Sequence, residues 1–368
     1  MNILIFNASY GGNKGAEAMI TTLLLNISNK IPDATFYIDA FTQFNTYFNK
    51  IQQTLKAEGI NIEPVVIRPK KVFSNIFFGI RDKNNKRIKV DTIIDISGLS
   101  FTDNNIRGLV RTLLKNISLP INVKLIRFTQ DFGPSEKLFT RLIARLILIK
   151  TSKIFPRSAP SRELVKKLAP SKEITKPYPD SAIILPVKES KYKIRNSAII
   201  VPNEHSYSKY QQKYIDTLTD TINYLKKINL DIYLVQHSFT GKGDAVLIKA
   251  ISQKYPDINI IDENIDSREL KHVISQAKIV IASRYHAVIA ALSMNVPCVT
   301  IGWNPKYEQL YKTYNLDYNG SISSTIVAIK WNINNYEKIK NKLHFENTRI
   351  KYEVNESFNE LIDEILKG

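Results

Sequence analysis

Apolar and polar positions follow two rhythms along most of this chain. Short runs that are apolar at nearly every position, Asn2–Asn7, Thr35–Ala40, Glu63–Ile67, Thr92–Ile96 and Val123–Thr129, are rich in β-branched residues and read as strands. The habit resumes at Ser197–Pro202, Ile232–Gln236, Asn259–Ile261, Lys278–Ala282 and Cys298–Ile301. Helical stripes lie between them. In Ala16–Ile27, residues Ala16, Met19, Ile20, Leu23, Leu24 and Ile27 share one helix face. Tyr210–Lys227, Ala245–Tyr255, Arg268–Gln276 and Arg284–Met294 carry the same period. Apolar strands separated by helices predict parallel sheets covered on both faces.

The expected fold class is α/β, with two Rossmann-like domains facing a cleft. The seam falls at 176–194, where Pro177, Pro179 and Pro186 surround a Lys/Glu-rich stretch. This divides the chain into an N-terminal domain over 1–180 and a C-terminal domain over 190–345. A terminal helix within 346–368, best patterned at Phe358–Leu366, is expected to pack back on the first domain. Ligands of doubly wound sheets bind beyond the carboxyl ends of the strands, where strand order reverses. The loops that follow strands are therefore the places to look for chemistry.

Length supports two domains with ample core: the chain has 368 residues. Its 43% apolar and 23% charged residues are ordinary for a globular protein. The best apolar run, Leu142–Ile149, is interrupted by Arg145 and far too short to cross a bilayer. The first residues lack the pattern of a signal peptide, and one cysteine, Cys298, excludes an internal disulfide. A cytoplasmic location is expected. The net charge of +18 is the unusual figure. Much of it is lysine scattered over solvated faces, but Lys137–Lys172 holds ten Lys/Arg against one acid, Glu163. Within it Arg141 and Arg145 share a helix face, which could rest on the inner membrane surface or simply be solvated.

The first loop, "NASYGGNKGAEAM", places Gly11, Gly12 and Gly15 between a strand and a helix. Their spacing matches neither G-x-G-x-x-G nor a G-K-[ST] loop, so dinucleotide and triphosphate binding are poorly supported. Backbone N–H groups at Asn13 and Gly15 could still hold an anion or a sugar hydroxyl. Glu17 suits the first helical turn whether or not it has a function. "DTIIDISGLSFTDNN" offers Asp95, Gly98 and Asp103 after a strand; "RFTQDFGP" offers Gln130 and Asp131; "IFPRSAPSRE" holds Arg157 between prolines. A fixed arginine suits a carboxylate or phosphate, and equally a surface ion pair.

The densest segment is "KIVIASRYHAVIAALSMNVPCVTIGWNPKYEQLY". A strand ends at Ala282, Ser283 reads as the N-cap, and Arg284 and His286 fall in the first helical turn. Cationic residues at the positive end of a helix dipole are unfavourable on their own, so their presence points to an anionic ligand. Gly302, Trp303 and Lys306 follow the next strand. His205 and His237 also follow strands, whereas His272 sits mid-helix and His344 lies in the polar tail, and neither is assigned a role. No H-E-x-x-H, C-x-x-C or carboxylate cluster supports a metal, and no G-x-S-x-G elbow supports a serine hydrolase.

The run "SRYHAVIAALSMNVPCVTIGWNPKY" resembles the Arg-x-His signature of the polysaccharide pyruvyl transferase family. "NASYGGNKGAEAM", "DISGLSFTD", "TQDFGP", "PRSAPS" and "PYPDSAIIL" are similar, in order, to further segments of that family. Ser97 stands where the family often has Gly, Ser158 where it has an acid, and Asn295-Val296 replaces the usual Gly before proline. The resemblance implies a fold like that of GT-B glycosyltransferases, with the acceptor on the first domain and the donor on the second. It implies transfer of a pyruvyl group from phosphoenolpyruvate to two hydroxyls of a sugar, with no cofactor and no metal. His286 is then the candidate acid and Arg284 the grip on the donor's anionic groups, with Arg157 and Lys306 as further clamps. Glu17, His205 or His237 is the base or orients the acceptor; Asn13, Gly15, Gly98, Gln130 and Ser283 are substrate-binding candidates. The acceptor is expected to be a cell-surface polysaccharide or its lipid-linked precursor, and no nucleic acid partner is expected. Two other readings stay open: a glycosyltransferase using a nucleotide sugar, and a glycan- or polyanion-binding relative without activity.

Overall fold

The computed structural model describes the chain except residues 8–9, 40–45, 68–79, 83–85, 121, 240–243, 262–263, 303–304, 319 and 368. Ala40 and Trp303 thus lie outside the described residues. Two compact units emerge. The first comprises residues 1–10, 19–181 and 353–368, the second residues 11–18 and 182–352. The chain passes from one to the other between Ser181 and Ala182, inside the proline-rich stretch.

The first unit holds β1 (Asn2–Phe6), most of α1 (Lys14–Lys30), β2 (Thr35–Asp39), α2 (Thr46–Ala57), β3 (Asn61–Ile67), β4 (Ile80–Asp82) and β5 (Arg87–Ile88). It continues with β6 (Thr92–Asp95), β7 (Leu99–Ser100), α3 (Ile106–Ile117), β8 (Lys124–Phe132), α4 (Leu138–Leu148), β9 (Thr151–Pro156), α5 (Ala159–Leu168) and β10 (Glu173–Ile174). The sheet order is β10-β9-β8-β6-β1-β2-β3-β4-β5, with β7 paired to β8. Pairing is parallel from β10 to β3 and antiparallel only at β4 and β5. Strand order reverses at β1, which lies between β2 and β6. Leu4 and Phe6 pack with Ile93 and Leu125 below the sheet, and α4 and α5 bury Ile143, Ile147, Leu148 and Val165 against it. Each such side chain contributes roughly 1.5–3 kcal/mol.

The second unit runs from a short 3-10 turn at Ser181–Ile184 through β11 (Ser197–Val201), α6 (Glu204–Tyr210), α7 (Gln212–Lys227), β12 (Asp231–Val235), α8 (Ala245–Lys254), β13 (Asn259–Ile261) and α9 (Ser267–Ser275). It ends with β14 (Ile279–Ala282), α10 (Tyr285–Ser293), β15 (Cys298–Thr300), α11 (Pro305–Thr313), α12 (Thr325–Asn334) and the first half of α13 (Tyr336–Leu366). Its five strands are all parallel, in the order β13-β12-β11-β14-β15. Strand order reverses between β11 and β14, where Ile199 pairs with Val280 and Val201 with Ala282.

Two features depart from the sequence reading. The last helix does not begin at Phe358; it is one unbroken helix from Tyr336. Its end belongs to the first unit, where Tyr178 donates to Glu360 at 2.9 Å and Phe358 packs on Phe128. The glycine-rich loop, assigned to the first domain by its place in the sequence, clusters instead with the second. Asn13 bridges to Ser238, Lys14 N–H donates to the His237 carbonyl at 3.0 Å, and Phe239 N–H to the Gly12 carbonyl at 3.0 Å. The loop satisfies its backbone on the exit of β12.

Candidate active site

The reversal point between β11 and β14 brings two strand exits side by side. After β11, Asn203 caps α6 and its side-chain amide donates to the Ser283 carbonyl at 2.7 Å. After β14, Ser283 is not the N-cap: Arg284 occupies that position in extended conformation, and the helix starts at Tyr285. The Ser283 hydroxyl turns inward, accepting from Tyr214 at 2.8 Å and donating to the Ile301 carbonyl. Burial pushes the Tyr214 phenol up to about 12, so it stays a donor. Ser283, expected to meet substrate, is 1% exposed and instead fixes the turn.

That turn aims Arg284 at Asp244, the residue preceding α8. Nε donates to Oδ2 at 3.0 Å and Nη2 to Oδ1, a two-pronged pair. Asp244 is wholly buried and also accepts from the backbone N–H groups of Ser238 and Glu204. Nothing in its local sequence marks it as the partner of Arg284. Arg284 thus keeps Nη1 outside the Asp244 pair, and its orientation is set by a carboxylate with no freedom to move.

His286, half-buried in the first turn of α10, lies beside Tyr285. The first turn of α1 closes on its ring: a β-carbon at Gly15 would stand 2.2 Å from His286 Nδ1. Gly15 N–H donates to Asn13 Oδ1 at 2.7 Å, which holds that turn shut. Lys306, at the start of α11, lies over the Tyr285 ring at 5.7 Å. His205 is exposed in the first turn of α6.

His237 and Glu17 are inside rather than at the surface. His237 is 3% exposed, and its Nδ1 has no hydrogen-bond partner. Burial, then the charges of Arg284, His286 and Lys14, hold its pKa well below the usual value, so the ring is neutral at pH 7. It lines a cavity of about 20 Å³ together with Lys14, Ser267, Lys271 and His286, room for about one water molecule. Glu17 accepts the Ser267 N–H at 2.6 Å and lies 3.7 Å from Lys14. It serves the N-terminus of α9, not its own helix, and is 1% exposed.

The remaining candidates belong to the first unit and interact with one another there. Arg157 pairs with Asp180 at 2.8 Å and donates to the Gly98 carbonyl at 3.3 Å. Arg157 N–H donates to the Gln130 carbonyl, and the buried Gln130 amide donates to the Asp95 carbonyl. Asp95 in turn forms a fully buried pair with Arg127. Arg157, expected as an anion clamp, is thereby engaged in holding the Gly98 loop. Among the described residues no group of three or more His, Cys, Asp or Glu is placed to hold a metal ion, and no helix is long and apolar enough to cross a membrane.

The fold has solved counterparts at low identity. UDP-GlcNAc 2-epimerase from Neisseria meningitidis superposes with a TM-score of 0.62 at 11% identity over 100% of both chains. The enzyme of that name from Methanocaldococcus jannaschii gives 0.56 at 12% identity, covering 90% of this chain and 92% of the other. A UDP-glucosyltransferase from Polygonum tinctorium gives 0.56 at 10% identity over 100% and 98%. These likenesses establish the GT-B-like α/β fold alone. No curated protein sequence matches the chain. A family model for polysaccharide pyruvyl transferases matches residues 48–305, from α2 into α11 and across the Arg284–His286 turn. The chain belongs to the polysaccharide pyruvyl transferase family.

Proposed function

We propose that the protein transfers the pyruvyl group of phosphoenolpyruvate onto two hydroxyls of one sugar, in a cell-surface polysaccharide or its lipid-linked precursor. The observation that carries this reading is the Arg284–His286 turn at the reversal point of the second sheet, with the guanidinium fixed by Asp244. In the reaction, a proton adds to the methylene carbon of phosphoenolpyruvate and a sugar hydroxyl adds to the central carbon. The bond from that carbon to the phosphate oxygen breaks, the second hydroxyl closes the ketal, and phosphate leaves with its electron pair. His286 is the proton donor. Arg284, Lys306 and the N–H groups at the start of α10 hold the donor's carboxylate and phosphate.

His205, the exposed histidine on the neighbouring strand exit, is the base for the sugar hydroxyl in this scheme. Asn13 and Gly15 set the wall against His286, Glu17 and His237 support that wall from inside, and Gln130, Gly98 and Arg157 form the rigid loops of the first unit. The reaction calls on phosphoenolpyruvate as co-substrate and on no metal, and belongs at the cytoplasmic face of the membrane where such precursors are built.

The test is phosphate release from phosphoenolpyruvate with candidate acceptor glycans, alongside thermal shifts with phosphoenolpyruvate, UDP and GDP. Stabilisation by phosphoenolpyruvate is expected, with turnover abolished in His286→Ala and reduced in Arg284→Lys, which keeps the charge but loses the two-pronged pair. Absence of both binding and phosphate release overturns the reading. Stronger stabilisation by UDP or GDP moves the protein to nucleotide-sugar chemistry.

A further inference from the structure

Helix α4 is apolar on both sides. Ile143, Ala144, Ile147 and Leu148 face the core of the first unit. Leu138, Phe139, Leu142, Leu146 and Ile149, on the other side, are exposed, Leu138 to 70% and Ile149 to 64%. A surface helix normally turns charge outward, and one that is apolar all round is covered by something. Helix α3 packs beside α4 and adds two more exposed large apolar side chains, Leu114 and Ile117, each 47% exposed. Six such residues on two adjacent helices, with Ile149 just past the end of α4, exceed what isolated surface leucines explain.

The charged residues of the same helices are of one sign. Arg107, Arg111 and Arg145 are exposed, Arg141 is exposed with Nε on the Ser135 carbonyl, Lys115 lies over the Phe6 ring, and neither helix contains Asp or Glu. Two acids, Asp103 and Glu136, flank α4 at its start, and Glu163 lies on the neighbouring helix α5. Asp103 is held on the Glu136 and Lys137 N–H groups, and Glu136 is itself exposed. Apolar side chains between arginines, with no acid on either helix, fit a lipid surface with anionic headgroups: the side chains enter the acyl boundary and the guanidinium groups meet phosphate. A second copy of the chain is the poorer occupant, because a two-fold contact would set this basic face against itself.

We propose that the α3–α4 face docks the protein on an anionic lipid surface. Docking is independent of which sugar is modified and of whether pyruvyl transfer occurs, so it is read without any activity assay. The full chain is floated with vesicles of phosphatidylcholine alone and of an equimolar mix with phosphatidylglycerol, at low and high salt. Binding to the anionic vesicles, weakened by salt, is expected. Leu142→Glu with Leu146→Glu should abolish it. These side chains are exposed, so the melting temperature should hold. Arg111→Ser with Arg145→Ser, which leaves the apolar ridge intact, should weaken partitioning about fivefold for each arginine removed. Failure to bind anionic vesicles overturns the proposal, as does binding that survives both double variants. A dimer in solution that Leu142→Glu with Leu146→Glu dissociates, with no vesicle binding, assigns the face to a second copy and also overturns it.

Discussion

Replacing Gly15 with alanine tests whether the His286 ring sits where the chemistry needs it. A β-carbon at Gly15 would lie 2.2 Å from Nδ1, 2.5 Å from Cγ and 2.9 Å from Cβ of His286, whereas ordinary contact begins at 3.4 Å. The ring or the helix turn must therefore yield by about 1 Å, against dispersion contacts that are optimal near 3.5–4.0 Å. Helix propensity alone would make alanine better by about 1 kcal/mol. Overpacking opposes it by about 1–3 kcal/mol, so the net loss of stability should stay within about 2 kcal/mol. Catalysis is the more sensitive readout, because a proton donor displaced by about 1 Å loses on the order of 100-fold in rate. The assay is phosphate release from phosphoenolpyruvate with an acceptor, run beside a thermal melt. His286→Ala removes two of the three close atoms, so the double variant Gly15→Ala/His286→Ala should melt higher than additivity allows. Activity within about threefold of the parent, on a folded Gly15→Ala protein, would refute the placement of His286 as acid.

Asp244→Asn removes the charge facing Arg284 at a wholly buried position; breaking such a pair costs about 3–5 kcal/mol, and denaturant unfolding should show a loss near the lower end because Arg284 retains some solvent contact. His237 fixes the acid limb of stability. Its folded pKa is depressed, so as pH falls below its ordinary value the unfolded chain takes up a proton the folded protein refuses. Stability should fall by up to about 1.4 kcal/mol per pH unit there, and His237→Asn should flatten that slope. Lys271 acts on the alkaline side. Burial lowers its pKa to about 7 while it donates to the carbonyls of Ala182, Ile183 and Leu185. The unfolded chain stays protonated there up to the ordinary lysine range, so stability should rise with pH above about 7. Lys271→Met should remove that rise while lowering stability overall.

Much of the scaffold was legible because its periods are strong. The expected core strands are present, since parallel strands buried on both faces leave continuous apolar runs. β9 was not expected although it spans six residues, because Ser152 and Lys153 interrupt its apolar run, and the short strands β4, β5, β7 and β10 span two or three residues each and leave no period to read. Arg284 and His286 were legible from their place at a strand exit. The cap was misplaced by one residue because the Ser283 hydroxyl is drawn to Tyr214 and Ile301, contacts that no local pattern encodes. The partners of Arg284 and Glu17 were not legible for the same reason at longer range. Asp244 answers Arg284 forty residues on, and Glu17 sits at a helix start but caps α9, 250 residues away. Local chemistry shows that a carboxylate belongs at a helix terminus; it does not show which helix.

The two sheets differ in what they leave at their carboxyl ends, and this bears on where an anionic donor would sit. In the first unit two buried ion pairs stand there: Asp95 with Arg127, Asp180 with Arg157. Both pairs are buried, so adding an anion would mean breaking a pair at a cost of about 3–5 kcal/mol. In the second unit Asp244 answers Arg284 and Glu17 lies near Lys14, and His286 and Lys306 lie in the first turns of α10 and α11. Burial is the chief cause of the depressed pKa of His237, and the charges of Arg284, His286 and Lys14 add to it in the same direction. On the proposed pyruvyl-transfer reading, the donor's anionic groups meet the Arg284–His286 turn of the second unit, where Arg284 keeps Nη1 outside its pair with Asp244.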